Sequence, residues 1–420
     1  MKVFKFGGAS MNSVDRIKNV AKIIQSFEKD QLLVIVSAIG KTTNALEKVA
    51  EAYFNERKEE ALQLFEQIKN SHLTTLKYLT VTRWQEAENQ LKEFFTEIEW
   101  LLHDAPVRKY DYYYDQIVCC GELLSTVILY HYLAEQHTSV GWLDARDVVR
   151  TDNNFRDANL DWAFTQQKTT DTLQHFFSKH NVVITQGFIG ATDENESVTL
   201  GREGSDYSAA LFANILESES VTIWKDVDAV MSADPKKYPS ATNINSLSYA
   251  EVIEMAYYGA QVIHPKTIKP LQNKNIPLLV KSFLDPTLPG TCISNQFTKG
   301  LPPIIVYKES QVLIQFKSKD FSFMEDKPIH DLHEIFNEVR IKPNVTQNTA
   351  ISLLCCFDDR TEKINELAAR ASVLFDVSME RSLSLLTIRH YQQDVINNLT
   401  KNTTILLEQK TPETLQMVIR

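Results

Sequence analysis

Glycine is scarce in this chain, 12 of 420 residues, about 3 % where globular proteins use roughly 7 %. So little glycine excludes a collagen-like or low-complexity chain, and it marks the few places where glycine does occur. Cysteine is nearly as sparse: Cys119/Cys120, Cys355/Cys356 and the lone Cys292. Neighbouring cysteines seldom bridge each other, and no CxxC spacing offers a zinc or redox site, so buried reduced thiols are expected. Positive charge is in deficit, 44 Lys+Arg against 54 Asp+Glu, a net charge of −10. That excludes a general nucleic-acid or membrane-surface binder and leaves room only for a local basic pocket. No apolar run stands out at the roughly 18 residues that span a bilayer, and MKVFKFGGAS opens as a strand and turn rather than a leader. A soluble, cytoplasmic protein with no nucleic-acid and no membrane partner is expected. At 43 % hydrophobic content and this length, two or three domains with a large core follow.

Residues 2–6 (KVFKF) read as a strand ending in Gly7-Gly8, followed by helical spacing over 13–27 and a continuous apolar run at 32–37. Such a run marks a strand buried on both faces of a parallel sheet. Residues 43–104 read as mostly helix, without one glycine. Further strands are expected at 139–143, 182–186, 220–224 and 277–281, with helices at 121–135, 161–178, 205–217 and 249–258. This alternation predicts a doubly wound α/β domain with its ligands at the carboxyl ends of the strands. The Pro-rich stretch 285–303 divides the chain into domains 1–298 and 299–420. Beyond it, strand 311–317, helix 328–338, strands 339–346 and 350–357, helix 360–373 and strand 383–389 have the βαββαβ order of a ferredoxin-like unit. Helix 391–400 and strands 403–409 and 414–419 fit a reduced second unit.

Three segments carry candidate chemistry. Lys5-Phe6-Gly7-Gly8-Ala9-Ser10 places two glycines and a lysine where a strand meets a helix: either a tight turn or a nest of N–H groups for phosphate. It is not GxxxxGK[ST], so the phosphate-loop NTPases are excluded. Thr199–Ser208 (TLGREGSDYS) sets Arg202 and Asp206 beside two glycines at a helix start, either an anion cradle or an ordinary N-cap. Trp224–Lys236 (WKDVDAVMSADPK) is a strand running into a polar turn, suited to a nucleotide edge or to solvent.

Together with VSAIGKTTNAL, GELLS, VVITQGFIG, MAYYGAQVIHP and IPLLVKSFLDPTLPGT, these segments resemble the aspartate kinases of the amino acid kinase superfamily in order and spacing across residues 1–295. The resemblance implies an α/β three-layer sandwich with a mostly parallel sheet, then a βαββαβ regulatory region of the ACT type. It implies transfer of the ATP γ-phosphoryl to L-aspartate, with Mg²⁺ held mostly by phosphate oxygens and water. Lys5 and Asp206 are then the catalytic pair, and Gly7 and Gly8 donate backbone N–H groups to phosphate. Glu122 takes the substrate α-ammonium, Arg202 its α-carboxylate, and Thr43 and Ser205 add hydrogen bonds. Lys225, Asp226, Met231, Lys236 and Gln261 line the nucleotide. Another amino acid kinase, or a non-catalytic amino-acid sensor of the same fold, is the alternative.

Three positions depart from the family's usual pattern: Ala9 replaces Thr, Glu203 replaces Gly, and Gln261 replaces a lysine that Lys266 would stand in for. His264-Pro265 is expected to be structural. The tail implies lysine or threonine as an effector and a homodimer formed through the ACT region. With nothing further after the tail, no fused dehydrogenase is expected.

Overall fold

The computed structural model describes all 420 residues. The chain forms two compact units: Met1–Val230 with Asn245–Ile253 and Ile263–Phe297, and Met231–Ile244 with Glu254–Val262 and Thr298–Arg420. The second unit therefore also takes two short segments that lie ahead of a simple division at 298/299.

In the first unit, β1 (Lys2–Phe6) leads through a 3₁₀ turn into α1 (Val14–Gln25) and β2 (Leu32–Val36). The Ser13 hydroxyl caps α1 by accepting from the Arg16 N–H at 3.3 Å, and Ile17, Val20, Ala21, Ile23 and Ile24 form its buried stripe. The helical stretch after β2 is not continuous: it breaks into α2 (Thr42–Phe54), α3 (Lys58–Leu79) and α4 (Trp84–His103). With no glycine to announce it, the first break is made by Glu56, left-handed at φ 59, with the Arg57 N–H closing on Ala52 O at 2.9 Å.

Next come α5 (Tyr110–Val118) and α6 (Cys120–Glu135). Tyr110–Glu135 is long and apolar enough to cross a bilayer, contrary to the expectation that no such run occurs, yet its apolar window is 83 % buried within the fold. β3 (Val140–Leu143), α7 (Trp162–Phe177) and β4 (Val182–Gln186) precede a hairpin of β5 (Ile189–Ala191) and β6 (Ser197–Thr199). Then follow α8 (Gly204–Ile215), β7 (Ser220–Lys225), and the paired short strands β8 (Val230–Met231) and β9 (Asn243–Ile244). β10 (Ser246–Ser248), α9 (Tyr249–Tyr258), α10 (Pro265–Lys274), β11 (Leu278–Ser282) and β12 (Thr291–Ser294) complete this part of the chain.

The first unit's sheet has the order β10-β12-β11-β7-β1-β2-β4-β3, parallel throughout except where β11 meets β12. Every residue of β2 and β4 is buried, so both faces of the sheet are covered and the unit is a three-layer α/β sandwich. α8 is buried over nearly its whole length; Ser208, Ala209, Ala210 and Ala213 keep it slim enough to lie on β1 and β7.

The second unit is built on β13 (Ile304–Ser318), α11 (Asp326–Val339), β14 (Val345–Asn348), β15 (Ser352–Asp358), α12 (Thr361–Ala371), β16 (Phe375–Arg389), α13 (Gln393–Thr400), β17 (Ile405–Lys410) and β18 (Thr414–Ile419). Its antiparallel sheet runs β14-β15-β13-β16-β18-β17. The strands expected at 311–317 and 383–389 are parts of two 15-residue strands, because positive φ at Ser310 and Ser382 makes bulges rather than ends. The strand expected at 339–346 begins only at Val345, since α11 runs to Val339 and Arg340 caps it at φ 54. One half of the sheet has βαββαβ order over a core of Phe316, Phe336, Phe357, Leu332 and Leu367. The other half, with α13 alone, covers Ile388, Ile396 and Met417.

Candidate active site

Parallel register brings four strand ends to one edge. Phe6 pairs with Val36 and Trp224, and Val36 with Gln186, so Gly7, Ser37, Gly187 and Lys225 emerge together. In a doubly wound sheet that edge is where ligands bind.

Lys5 and Asp206 meet there. The Lys5 ammonium, on β1, lies 2.6 Å from Asp206 Oδ1 in the first turn of α8, with 13 % and 8 % of the two side chains exposed. Beside them Gly7 leads into the turn Gly8–Met11. Gly8 tolerates no side chain, because a Cβ would stand 2.7 Å from the Gly40 carbonyl oxygen and 2.8 Å from that of Ala38. The Gly40 N–H in turn donates to Gly8 O at 3.0 Å, locking the loops after β1 and β2 together. The result is a backbone cradle flanked by a lysine, the arrangement that suits phosphate oxygens. At the departure Ala9 only the backbone takes part, its carbonyl accepting from Arg16 Nη1 at 2.6 Å.

Glu122 sits in the first turn of α6, only 3 % exposed. Its Oε1 accepts the Ala38 N–H at 3.3 Å, and its Oε2 is buried with no hydrogen-bond partner. Burial pushes its pKa up to about 8, against the pull of the Ala38 N–H and of the Lys5 ammonium. A buried carboxyl with one orphan oxygen beside a lysine is a ready acceptor for an incoming ammonium.

Lys225, at the end of β7, has its pKa pushed down by burial, opposed by the field of Asp206; Lys5 adds to the fall, Glu203 and Asp226 oppose it. Lys5, Asp206, Lys225 and Glu122 thus form one electrostatic cluster, with Gly7 and Gly8 beside it. Ser205 is buried next to Asp206, Thr43 lies in the first turn of α2 three residues after Gly40, and Asp226 is exposed just beyond Lys225. Arg202 is exposed in the turn before α8. Met231, Lys236 and Gln261 fall in the second unit: Met231 half-buried on β8, Lys236 and Gln261 exposed in loops.

Glu203 takes the left-handed region at φ 55, ahead of Gly204, and its Oε2 accepts the His264 N–H at 3.0 Å. Its carboxylate is thereby turned to the start of α10, which His264 caps by accepting the Lys266 N–H at 3.1 Å. Lys266 is engaged locally as well: its ammonium donates to Leu200 O at 2.9 Å and lies 4.9 Å from the Tyr207 ring centroid. Two bonds therefore clamp the head of α10 onto the loop that carries Arg202.

Sequence reasoning missed Asp115. Fully buried, it accepts from Thr199 N at 2.9 Å, Thr199 Oγ1 at 2.7 Å and Arg156 N at 2.9 Å, and so holds the strand that leads into Gly201–Gly204. Burial raises its pKa to about 6. The one available signal was an acid two residues ahead of the apolar run IVCC.

Residues 1–282 match the model of the amino acid kinase family. Lysine-sensitive aspartokinase 3 of Escherichia coli is 33 % identical over 319 residues, 75 % of this chain and 69 % of that protein. A bifunctional aspartokinase/homoserine dehydrogenase of Zea mays is 33 % identical over 300 residues, 70 % of this chain; the match takes in 32 % of that relative, about a third of its length. The structure of E. coli aspartokinase III with aspartate and ADP superposes with a TM-score of 0.81 at 26 % identity, covering 100 % of this chain and 96 % of the other. The same enzyme with lysine and aspartate also gives 0.81.

Proposed function

The chain belongs to the aspartokinase branch of the amino acid kinase family, and from that premise we propose that it phosphorylates the β-carboxylate of L-aspartate at the expense of ATP. A carboxylate oxygen forms the new bond to the γ-phosphorus, the bond to the β,γ-bridging oxygen breaks, and the products are 4-phospho-L-aspartate and ADP. The observation that carries this reading is the Lys5–Asp206 pair set beside the Gly7–Gly8 cradle. Bound MgATP would supply the phosphoryl group and a divalent cation held mostly by phosphate oxygens and water.

The chain's own residues do the positioning and charge work on which phosphoryl transfer depends. Lys5 offsets charge on the group in flight, and Asp206 keeps that ammonium aimed. Backbone N–H groups of Gly7 and Gly8 hold phosphate oxygens. Glu122 Oε2 takes the α-ammonium of aspartate, and Arg202 grips its α-carboxylate in bidentate fashion. Ser205 and Thr43 complete the substrate's hydrogen bonds, while Lys225 and Asp226 face the nucleotide.

An aspartate-dependent ADP-release assay tests the reading. Lys5→Ala is expected to lower kcat by about 10²–10³-fold, the usual effect of deleting one preorganised charge-stabilising donor. Near-normal turnover in that variant removes the proposed role.

We also propose that the second unit is regulatory, with lysine or threonine as effector, and that it supports a homodimer. The E. coli relative is known in complex with lysine, and the βαββαβ half of the sheet is a unit whose edge strand β14 has strand pairing on one side only, to β15. Initial rates measured with each amino acid, and the mass of the particle in solution, test these two points separately.

A further inference from the structure

The second unit encloses a cavity of about 570 Å³, within the size range of small-molecule sites. Its walls come from the end of α11, the Arg340–Asn344 connection, the end of β15 and the tip of α9, all within that unit. The electrostatics of the walls are one-sided. Arg340, Lys342 and Arg360 line it with no ion-pair partner, in a chain whose net charge is −10. Carboxylates nearby are committed elsewhere: Glu338 pairs with Arg370 at 2.8 Å and Asp359 with Arg381 at 2.5 Å.

The one acid on the wall is hydrogen-bonded through one of its two oxygens. Asp358 Oδ1 accepts from Gln311 Nε2 at 3.0 Å and Asn344 Nδ2 at 2.9 Å, and the Lys308 ammonium donates to Asn344 Oδ1 at 2.9 Å. This network forms a polar floor. The Lys308 stem rests closely on Gly259, whose φ of 107 disfavours any other residue there. At the rim Tyr257 is 70 % exposed, and its ring meets Tyr258 edge-on at 5.3 Å.

Arg340 is the most informative residue. It caps α11 in the left-handed region, where glycine costs least, and its carbonyl is held by Lys363 Nζ at 3.0 Å. A rigid backbone thus presents a guanidinium from a position that stability alone would give to glycine. Planar guanidinium groups grip phosphate in bidentate fashion, and two of them plus a lysine match a multiply charged anion better than a zwitterion. A zwitterionic amino acid would bring an ammonium for which the wall offers the single carboxylate of Asp358, against the three unpaired cations Arg340, Lys342 and Arg360.

We propose that this cavity is a binding site for a small phosphate-bearing polyanion, held by Arg340, Lys342 and Arg360. Titration calorimetry on the full chain with inorganic pyrophosphate, citrate and lysine tests it. Pyrophosphate should bind, citrate at least tenfold more weakly, and lysine not at this site. The double variant Arg340→Gly/Arg360→Ala should weaken pyrophosphate binding at least tenfold without lowering the melting temperature, because the glycine relieves the cap. Lys5→Ala should leave this binding unchanged, which separates it from phosphate held at the Gly7–Gly8 cradle and from the kinase reading. Unaltered affinity in the double variant overturns the proposal. Citrate binding as tight as pyrophosphate, or lysine binding lost in the double variant, overturns it too.

Discussion

Glu122 allows the proposed substrate site to be tested through protons rather than turnover. Its carboxyl is raised from the ordinary 4.5 to about 8 by burial, so at neutral pH the unliganded protein holds it mostly protonated. An ammonium delivered to the orphan Oε2 replaces the missing solvation and draws the group to its ionised form. With a free-state value of about 8, binding aspartate at pH 7 should release roughly nine-tenths of a proton. Affinity should climb by up to about tenfold per pH unit from pH 6 and level off above pH 8. Calorimetry in Pipes and in Tris at one pH measures the release as the slope of apparent enthalpy against buffer ionisation enthalpy. The stability effect has a definite sign. Below pH 4.5 the carboxyl is neutral in both folded and unfolded chains; from there to about pH 8 only the unfolded chain ionises it, so stability falls as pH rises through that window. The total is at most about 5 kcal/mol, since each tenfold difference in proton affinity between folded and unfolded chains is worth about 1.36 kcal/mol. Glu122→Gln should abolish the proton release, recover stability at pH 8–9 and change nothing below pH 4.5. A zero buffer slope in the wild-type protein, or the same slope in Glu122→Gln, refutes the assignment.

Gly8→Ala forces a methyl group against two backbone carbonyls, so a loss of about 1–3 kcal/mol in denaturant unfolding is expected, with a fall in kcat as the loop that holds Glu122 through Ala38 is displaced. Wild-type stability in that variant would mean that the two loops are not locked. At Glu203, Ala and Gly variants both lose the bond to His264, but only Gly relieves φ 55; Glu203→Gly should therefore be more stable than Glu203→Ala by about 1 kcal/mol. Equal stabilities would show that the backbone there carries no strain.

What could be read from the chain and what could not divides along a physical line. β1, β2, β4 and β7 were legible because a strand buried on both faces must be apolar without interruption, and LLVIV and VVITQ announce themselves. α10 was hidden by Pro265 and Pro270: the first is harmless at the first helical position, and the second sits inside the helix without ending it, its carbonyl accepting from Asn214 Nδ2 at 2.7 Å. Ser310 and Ser382 are bulges only because β13 and β16 lie against each other, which no local pattern records. The site divides in the same way. Lys5, Asp206 and Glu122 belong to short motifs and could be named as candidates from the sequence; the Ala38 N–H and Asp115 act across 84 residues each and could not.

Glu203 ties these levels together. As a residue type it is an unfavourable neighbour for Arg202, whose proposed task is to bind a carboxylate. Its φ of 55 sends the side chain to the His264 N–H, where a carboxylate at a helix start is favourable. With the Lys266 ammonium on Leu200 O, it fixes both sides of the Arg202 turn. The acid is therefore tolerated not by distance from the site but by conformation, and the left-handed backbone that glycine would accept freely is the device that turns it away.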